Sequence, residues 1–212
     1  MIKGIIFDLD GTLLNSLNDL GNSVNKVLRA HGFEEHDMSS YKNFVGNGVY
    51  KLVERSFEKD YDNLEEAYQS FLMDYKDACT QDSHLYDGIY DLLKRLNALE
   101  IPIAIHTNKA QELTDKIVKH YMSDIDFVDV IGDRFDGLNK PNPFYTTHIA
   151  NQMNLKPESI LFVGDSDVDI INAKNGGFIP AGVSWGFRHE DELLENGAKH
   201  IINNAEEILK LL

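Results

Sequence analysis

Two pairs of aspartates, far apart in the chain, are the residues whose type and spacing could do chemistry. Asp8 and Asp10 follow the apolar run Ile5, Ile6 and Phe7, and Asp165 and Asp169 follow an apolar run over residues 160–163. Asp8 and Asp10 lie two apart on an extended segment, so their side chains start on one side of it. If the fold brings Asp165 and Asp169 alongside, the repulsion is severe: unit charges ~4 Å apart at an effective dielectric of ~20 interact by roughly 4 kcal/mol. A hard, oxygen-seeking cation such as Mg²⁺ removes that repulsion, and all-carboxylate ligands suit it better than zinc.

Two further signals lie between these pairs. Thr107 and Asn108 end another apolar run, and Lys140-Pro141 precedes a predicted helix. A divalent metal, a free aspartate, a Thr hydroxyl and a Lys ammonium form a phosphoryl-transfer set. Metal and Lys140 neutralise phosphate oxygens, Thr107 donates a hydrogen bond, and a carboxylate attacks phosphorus in line. Gly11 permits a sharp turn that presents backbone N–H groups to a phosphate. Taken singly, each signal has a plainer reading: turn formers at Asp8 and Asp10, a helix N-cap at Thr107-Asn108, a surface loop at Lys140-Pro141, a solvated helix start at Asp165 to Asp169.

The elements that must position these residues follow from periodicity. Residues 3–9 read as a buried strand. Leu17, Leu20, Val24, Val27 and Leu28 recur at helical spacing over 16–30, with Gly32 as the stop. Segments 39–45, 47–57 and 62–80 continue as helix with no strand between them. From about residue 87 the pattern alternates: helix 88–99, strand 101–106, helix 109–122, strand 127–131, helix 143–153, strand 160–163, helix 167–175, strand 178–183, then a short helix, strand and helix. Alternation of this kind implies an α/β fold, a doubly wound parallel sheet with a Rossmann-like core. The four chemical signals then fall at the carboxyl ends of strands, where open α/β sheets bind ligands. The helical stretch reads as an all-α insert after the first strand. The expected division is a core of residues 1–15 and 82–212 and an insert of residues 16–81.

Composition narrows the class. A chain of 212 residues with 42% hydrophobic and 26% charged residues is an ordinary globular protein whose core needs no disulfides. Cys79 is the sole cysteine, which excludes a disulfide framework and a multi-cysteine zinc site. The formal charge of −15 argues against nucleic-acid or anionic-membrane partners. No apolar run approaches the ~20 residues of a membrane span, and Asp8 interrupts the start too early for a secretory leader. The expectation is a cytoplasmic protein whose partner is a small phosphorylated metabolite, with oligomeric state open.

In order and in full, FDLDGTLL (residues 7–14), Thr107-Asn108, Lys140-Pro141 and VGDSDVD (residues 163–169) resemble the haloacid dehalogenase superfamily of phosphohydrolases. FVGNGVYKLVERSF (residues 44–57) and GVSWGFR (residues 182–188) look like its phosphoglycolate phosphatase branch, and the helical insert resembles that branch's cap domain. The resemblance implies Asp8 as nucleophile of an aspartyl-phosphate, and Asp10 as general acid and base. It implies Mg²⁺ held by Asp8, the main-chain carbonyl of Asp10, and Asp165, with Asp169 orienting Lys140 or a metal-bound water. Thr107 and Lys140 would clamp the phosphate, with Gly11 and Asn108 beside it. True dehalogenases resemble this chain but lack an acid at the Asp10 position, so Asp10 favours an oxygen leaving group.

The implied activity is hydrolysis of a small phosphomonoester, with 2-phosphoglycolate leading. The alternatives are a phosphomutase of the same superfamily and, from another class, a phospho-accepting receiver-like module. The family usually has Asp where this chain has Asn15, a position read as a hinge hydrogen-bonding site. The glycine loop at residues 45–49 and Arg188 are candidate substrate contacts; Tyr50, Lys51 and Arg55, which follow the loop, do not amount to site residues on sequence alone. His106 reads as a strand-end histidine, and Trp185 and Phe187 as packing residues.

Overall fold

A computed structural model describes residues 1–45 and 48–212. It divides into two compact units: residues 1–14 with 85–212, and residues 15–84.

The first unit is built on β1 (Gly4–Phe7), whose four residues are all buried. A strand covered on both faces has no polar side to alternate with, which is why this one is a continuous apolar run. Short strands β2 (Leu14–Asn15) and β3 (His84–Leu85) pair with each other where the chain passes between units. After them come α5 (Ile89–Ala98), β4 (Ile103–Ala110), α6 (Gln111–Tyr121), β5 (Val130–Asp133) and α7 (Phe144–Gln152). A 3₁₀ turn at Pro157–Ser159 leads into β6 (Ile160–Gly164), α8 (Asp167–Gly176), β7 (Ile179–Val183), α9 (Glu190–Asn196), β8 (His200–Ile202) and α10 (Glu206–Leu209).

The main sheet has six strands in the order β5-β4-β1-β6-β7-β8, with every pairing parallel. This is the expected α/β Rossmann-like architecture. β1 lies between β4 and β6, in register Ile5 to Ile103 and Ile5 to Leu161. The carboxyl ends of those three strands therefore converge, bringing together Asp8 and Asp165, which follow β1 and β6, and residues 107–109 at the end of β4. On one face Ile6, Ala104, Ile149, Ile160, Phe162 and Phe178 form a core cluster. Burying such side chains contributes roughly 1.5–3 kcal/mol each.

The β2–β3 pair was not expected from the sequence, and β4 and β5 of the main sheet extend beyond their expected ends. β4 runs on through Thr107 and Asn108 to Ala110, and α6 begins at Gln111, so these two residues are not a helix cap. A register shift between His106 and Ala110 lets Ala110 pair with Asp133, which prolongs the strand past the point where its apolar run ends. β5 also sits later than expected, at Val130–Asp133, because the preceding apolar residues Phe127 and Val128 lead into the strand as loop.

Among the described residues, the regular elements of the second unit between its chain ends are four helices: α1 (Leu17–Ala30), α2 (Met38–Phe44), α3 (Val49–Ser56) and α4 (Leu64–Ala78). α1 buries Leu17, Leu20, Val24, Val27 and Leu28, the residues read at helical spacing. Phe71 and Tyr75 on α4 stack at 5.2 Å and are fully buried. Asn25 holds the start of α2, accepting from the Tyr41 hydroxyl at 2.6 Å and the His36 amide at 3.0 Å. Of the glycine loop at 45–49, Gly46 and Asn47 lie outside the described residues.

Candidate active site

The strand ends of the first unit bring all four aspartates, Thr107 and Lys140 into one neighbourhood. Asp8 leaves β1 with its amide bonded to the Val163 carbonyl at 2.8 Å, which fixes the carboxylate against β6. Its side chain meets the buried ammonium of Lys140, 2.7 Å from Asp8 Oδ1 and 2.6 Å from Asp169 Oδ1. Ligand atoms of Asp8, Asp165 and Asp169 lie within 4.8 Å of one another, and all three residues are buried.

Asp169 is committed at both oxygens. Oδ1 accepts from Lys140, and Oδ2 accepts from the Ser166 amide at 3.0 Å and the Ser166 hydroxyl at 2.6 Å, in a capping box that starts α8. Asp165 is held differently: Oδ2 accepts from the Phe187 amide at 2.7 Å. Gly11 and Gly186 make room for it. Gly11 has φ +84°, and a Cβ there would fall 2.2 Å from Asp165 Oδ2; at Gly186 it would fall 2.2 Å from the Asp165 Cβ. The Gly11 amide itself donates to the Leu14 carbonyl at 2.9 Å, so within this turn it is engaged by the chain.

Residues 107–109 each take a different direction. Thr107 is buried, and its Oγ1 accepts from the Lys109 amide at 3.3 Å. Asn108 grips the Lys140 backbone at both ends, its Oδ1 accepting from the Lys140 amide at 2.8 Å and its Nδ2 donating to the carbonyl at 3.0 Å. Both polar ends of the side chain therefore hold the loop that delivers Lys140. Lys109, buried, reaches Asp10 Oδ1 at 3.0 Å and Oδ2 at 2.9 Å. Sequence reasoning missed Lys109, although a lysine directly after a buried apolar run and Thr107-Asn108 was a visible signal. Ser166 stood among the residues that follow the strand at 160–163, but its bonds to Asp169 were not read from the sequence, and the Phe187 amide was missed, because both roles depend on loop paths that no residue type announces.

The electrostatics have one dominant cause. Burial first, then the charges of Asp169 and Asp10, push the Asp8 carboxyl up to about 7 even though Lys140 pulls it down. Burial, Asp169 and Asp8 likewise push Asp165 well above the carboxylate range. Lys140 is pushed above its usual value by Asp169 and Asp8, which outweigh its burial. Fully ionised, three carboxylates against one ammonium would leave two negative charges in a buried site, so without a cation they retain protons, and a divalent cation would supply the balance that lets them ionise.

His106 is buried with Nδ1 unpartnered, and burial followed by Lys140 pushes it far below its ordinary value. It therefore stays neutral, between the rings of Tyr145 and Phe162. Trp185 donates its Nε1 to the Thr12 carbonyl at 3.0 Å, a packing contact within the first unit. Arg188 pairs with Glu192 at 3.5 Å. Asn15 Oδ1 accepts from the Leu17 amide at 3.4 Å at the start of α1.

The sequence model of the family described as haloacid dehalogenase-like hydrolase matches residues 5–183. The chain belongs to that family. Among curated proteins it is similar to the phosphoglycolate phosphatase of Vibrio vulnificus, 30% identical over 220 residues covering 100% of this chain and 96% of that one. Among solved structures it is similar to a predicted phosphoglycolate phosphatase from Haemophilus somnus, with TM-score 0.89 and 28% identity over 99% of this chain and 97% of that chain. A Lactobacillus delbrueckii protein given the same name provisionally superposes with TM-score 0.90 at 26% identity, over 99% and 97% of the two chains. As a haloacid dehalogenase-like hydrolase the chain is an enzyme, and the receiver-like reading falls with the match. Among the described residues no helix is long and apolar enough to cross a membrane.

Proposed function

We propose that this hydrolase is a Mg²⁺-dependent phosphatase that cleaves a small phosphomonoester through a phosphorylated Asp8. The observation that carries the reading is the Lys140 ammonium shared between Asp8 and Asp169 in a buried cluster whose three carboxylates, once ionised, exceed that ammonium by two charges. That excess supports a divalent cation held by Asp8, Asp165 and the main-chain carbonyl of Asp10. When bound, the cation neutralises phosphate oxygens and the Asp8 carboxylate together.

The protein's own groups would divide the remaining work. Lys140 and the Thr107 hydroxyl hold the phosphoryl oxygens. An Asp8 carboxylate oxygen attacks phosphorus, forming a new P–O bond while the bond to the leaving alcohol breaks. Asp10 gives its proton to that alcohol oxygen, a contribution worth ~10²–10⁴-fold. Water then attacks the aspartyl-phosphate, Asp10 takes the water's proton, and inorganic phosphate departs. Asp169 keeps Lys140 aimed, and Asn108 holds its backbone.

The phosphoglycolate phosphatases among the relatives support 2-phosphoglycolate as the proposed substrate. We assign the helical unit the family's cap function of substrate selection and water exclusion. An acidic chain with one cysteine suits a cytoplasmic enzyme without nucleic-acid or membrane partners.

The test is phosphate release with Mg²⁺ from 2-phosphoglycolate, beside p-nitrophenyl phosphate and a panel of sugar and nucleotide phosphates. Preference for 2-phosphoglycolate supports the full reading. Turnover of the aryl ester without that preference keeps the mechanism and removes the substrate. Phosphate returned to a sugar instead of to water would make the enzyme a phosphomutase.

A further inference from the structure

Among the described residues, the Lys109–Asp10 contact is an ion pair at these strand ends, buried on the lysine side, that the proposed chemistry leaves unused. Lys109 is a β4 residue at the register shift, with a side chain only 1% exposed, against 22% for the Asp10 side chain. Its ammonium donates to both Asp10 oxygens, at 3.0 and 2.9 Å. Burying a lysine is costly, and replacing an isolated buried pair by apolar side chains is often neutral or stabilising. Stability alone is therefore a weak reason for a lysine here.

What the pair does supply is direction. Among the described residues, no other side chain hydrogen-bonds to the Asp10 carboxylate. Asp10 lies past the end of β1 in the turn that closes with the Asp10–Leu14 bridge, so the strand does not fix its side-chain torsions. Two bonds from one ammonium do fix them. The same short stretch of β4 also carries Thr107, and through Asn108 it grips the Lys140 backbone. Three consecutive residues thus anchor the phosphate-binding side and the proton-transfer side of the site to one strand.

We infer that Lys109 is a positioning residue for Asp10, holding its carboxyl group where it serves the leaving-group oxygen. The inference rests on the Asp10 assignment above. It is read in kcat/KM, which stops at the first irreversible step, phosphorylation of Asp8, and so excludes the later hydrolysis. Two esters separate the roles: an alkyl phosphomonoester, whose alkoxide needs a proton, and p-nitrophenyl phosphate, whose phenolate does not.

Lys109→Met is expected to lower kcat/KM for the alkyl ester by about 10- to 100-fold, within the range of lost acid catalysis, and for the aryl ester by less than about 3-fold. Asp10→Asn should show the same split, and adding Lys109→Met to it should change little, because both act on one step. Lys109→Arg should restore part of the alkyl-ester rate, and it serves as the test if the Met variant does not fold. If Asp10→Asn slows both esters alike, the acid assignment itself fails. If Asp10→Asn splits the esters while Lys109→Met, or Lys109→Arg in its place, slows them equally or not at all, Lys109 has no positioning role.

Discussion

Asp169 and Lys140 meet at 2.6 Å with side chains that are 0% and 3% exposed, and the second Asp169 oxygen is already occupied by Ser166. Among the described residues, Asp165 accepts only from the Phe187 amide, on one oxygen. The two acids of one short stretch thus divide into a holder of the lysine and a candidate metal ligand.

This division predicts different consequences for two similar substitutions. Asp165→Asn should remove most of the Mg²⁺-induced rise in melting temperature. Asp169→Asn should retain most of that rise yet lower turnover by at least about 10-fold, because Lys140 loses one of its two anchors. Melting curves against Mg²⁺ concentration, with parallel rate measurements, check both. Equal loss of the metal response in the two variants would contradict the division.

The raised carboxyls predict how the metal-free protein responds to pH. Asp8 is near 7 in the folded chain and near 3.8 when unperturbed, and Asp165 is shifted the same way. The unfolded chain releases these protons first, so the stability they contribute is complete below about pH 4 and is lost as pH rises through about 7. Stripped of metal, the protein should show a melting temperature that falls from about pH 5 to about pH 7.5. Added Mg²⁺ should raise it more at the upper end, because the cation favours the ionised carboxylates. A metal-free melting temperature that climbs over this interval would overturn the electrostatic account.

The parts legible in the sequence were those written in local pattern. Ile5, Ile6 and Phe7 announced a doubly covered strand, and the spacing of Leu17 to Leu28 announced α1. Alternation after residue 87 then placed every loop that matters on one sheet edge. The β4 extension to Ala110 was not legible, because its pairing with Asp133 depends on a neighbour with no local signature. Lys109 was missed for the same reason: its meaning lies in Asp10, 99 positions away. The role of Gly186 was not legible either, because it lies in the approach of Asp165, 21 positions away in the chain.

That contact makes Gly186 a test of the metal site from outside its charged groups. A methyl there would fall 2.2 Å from the Asp165 Cβ and 2.7 Å from the Gly11 carbonyl, one contact with a side-chain root and one with backbone. Neither yields cheaply, so Gly186→Ala should move Asp165 and weaken apparent Mg²⁺ affinity by roughly 10-fold or more, with a stability cost of about 1–3 kcal/mol. Activity titrated with Mg²⁺ reads the first, and denaturant unfolding the second. Unchanged Mg²⁺ dependence would show that the loop absorbs the methyl without disturbing Asp165.

The helical unit has its own buried acid, and it should answer only to folding. Asp19, in the first turn of α1, is 1% exposed and accepts from the Asp82 amide at 2.8 Å, the Ser83 amide at 2.9 Å and the Ser83 hydroxyl at 2.6 Å. It thereby fixes the returning end of the unit to its first helix, and its charge complements the α1 N-terminus. Asp19→Ala removes three bonds to a buried acceptor and should cost about 2–4 kcal/mol, measured by urea unfolding. Asp19→Asn keeps one acceptor oxygen and should cost less. No Asp19 substitution should shift the relative kcat/KM of alkyl and aryl phosphates, since the leaving-group proton belongs to Asp10. A change in that ratio would mean that Asp19 acts on the chemistry and not only on the fold.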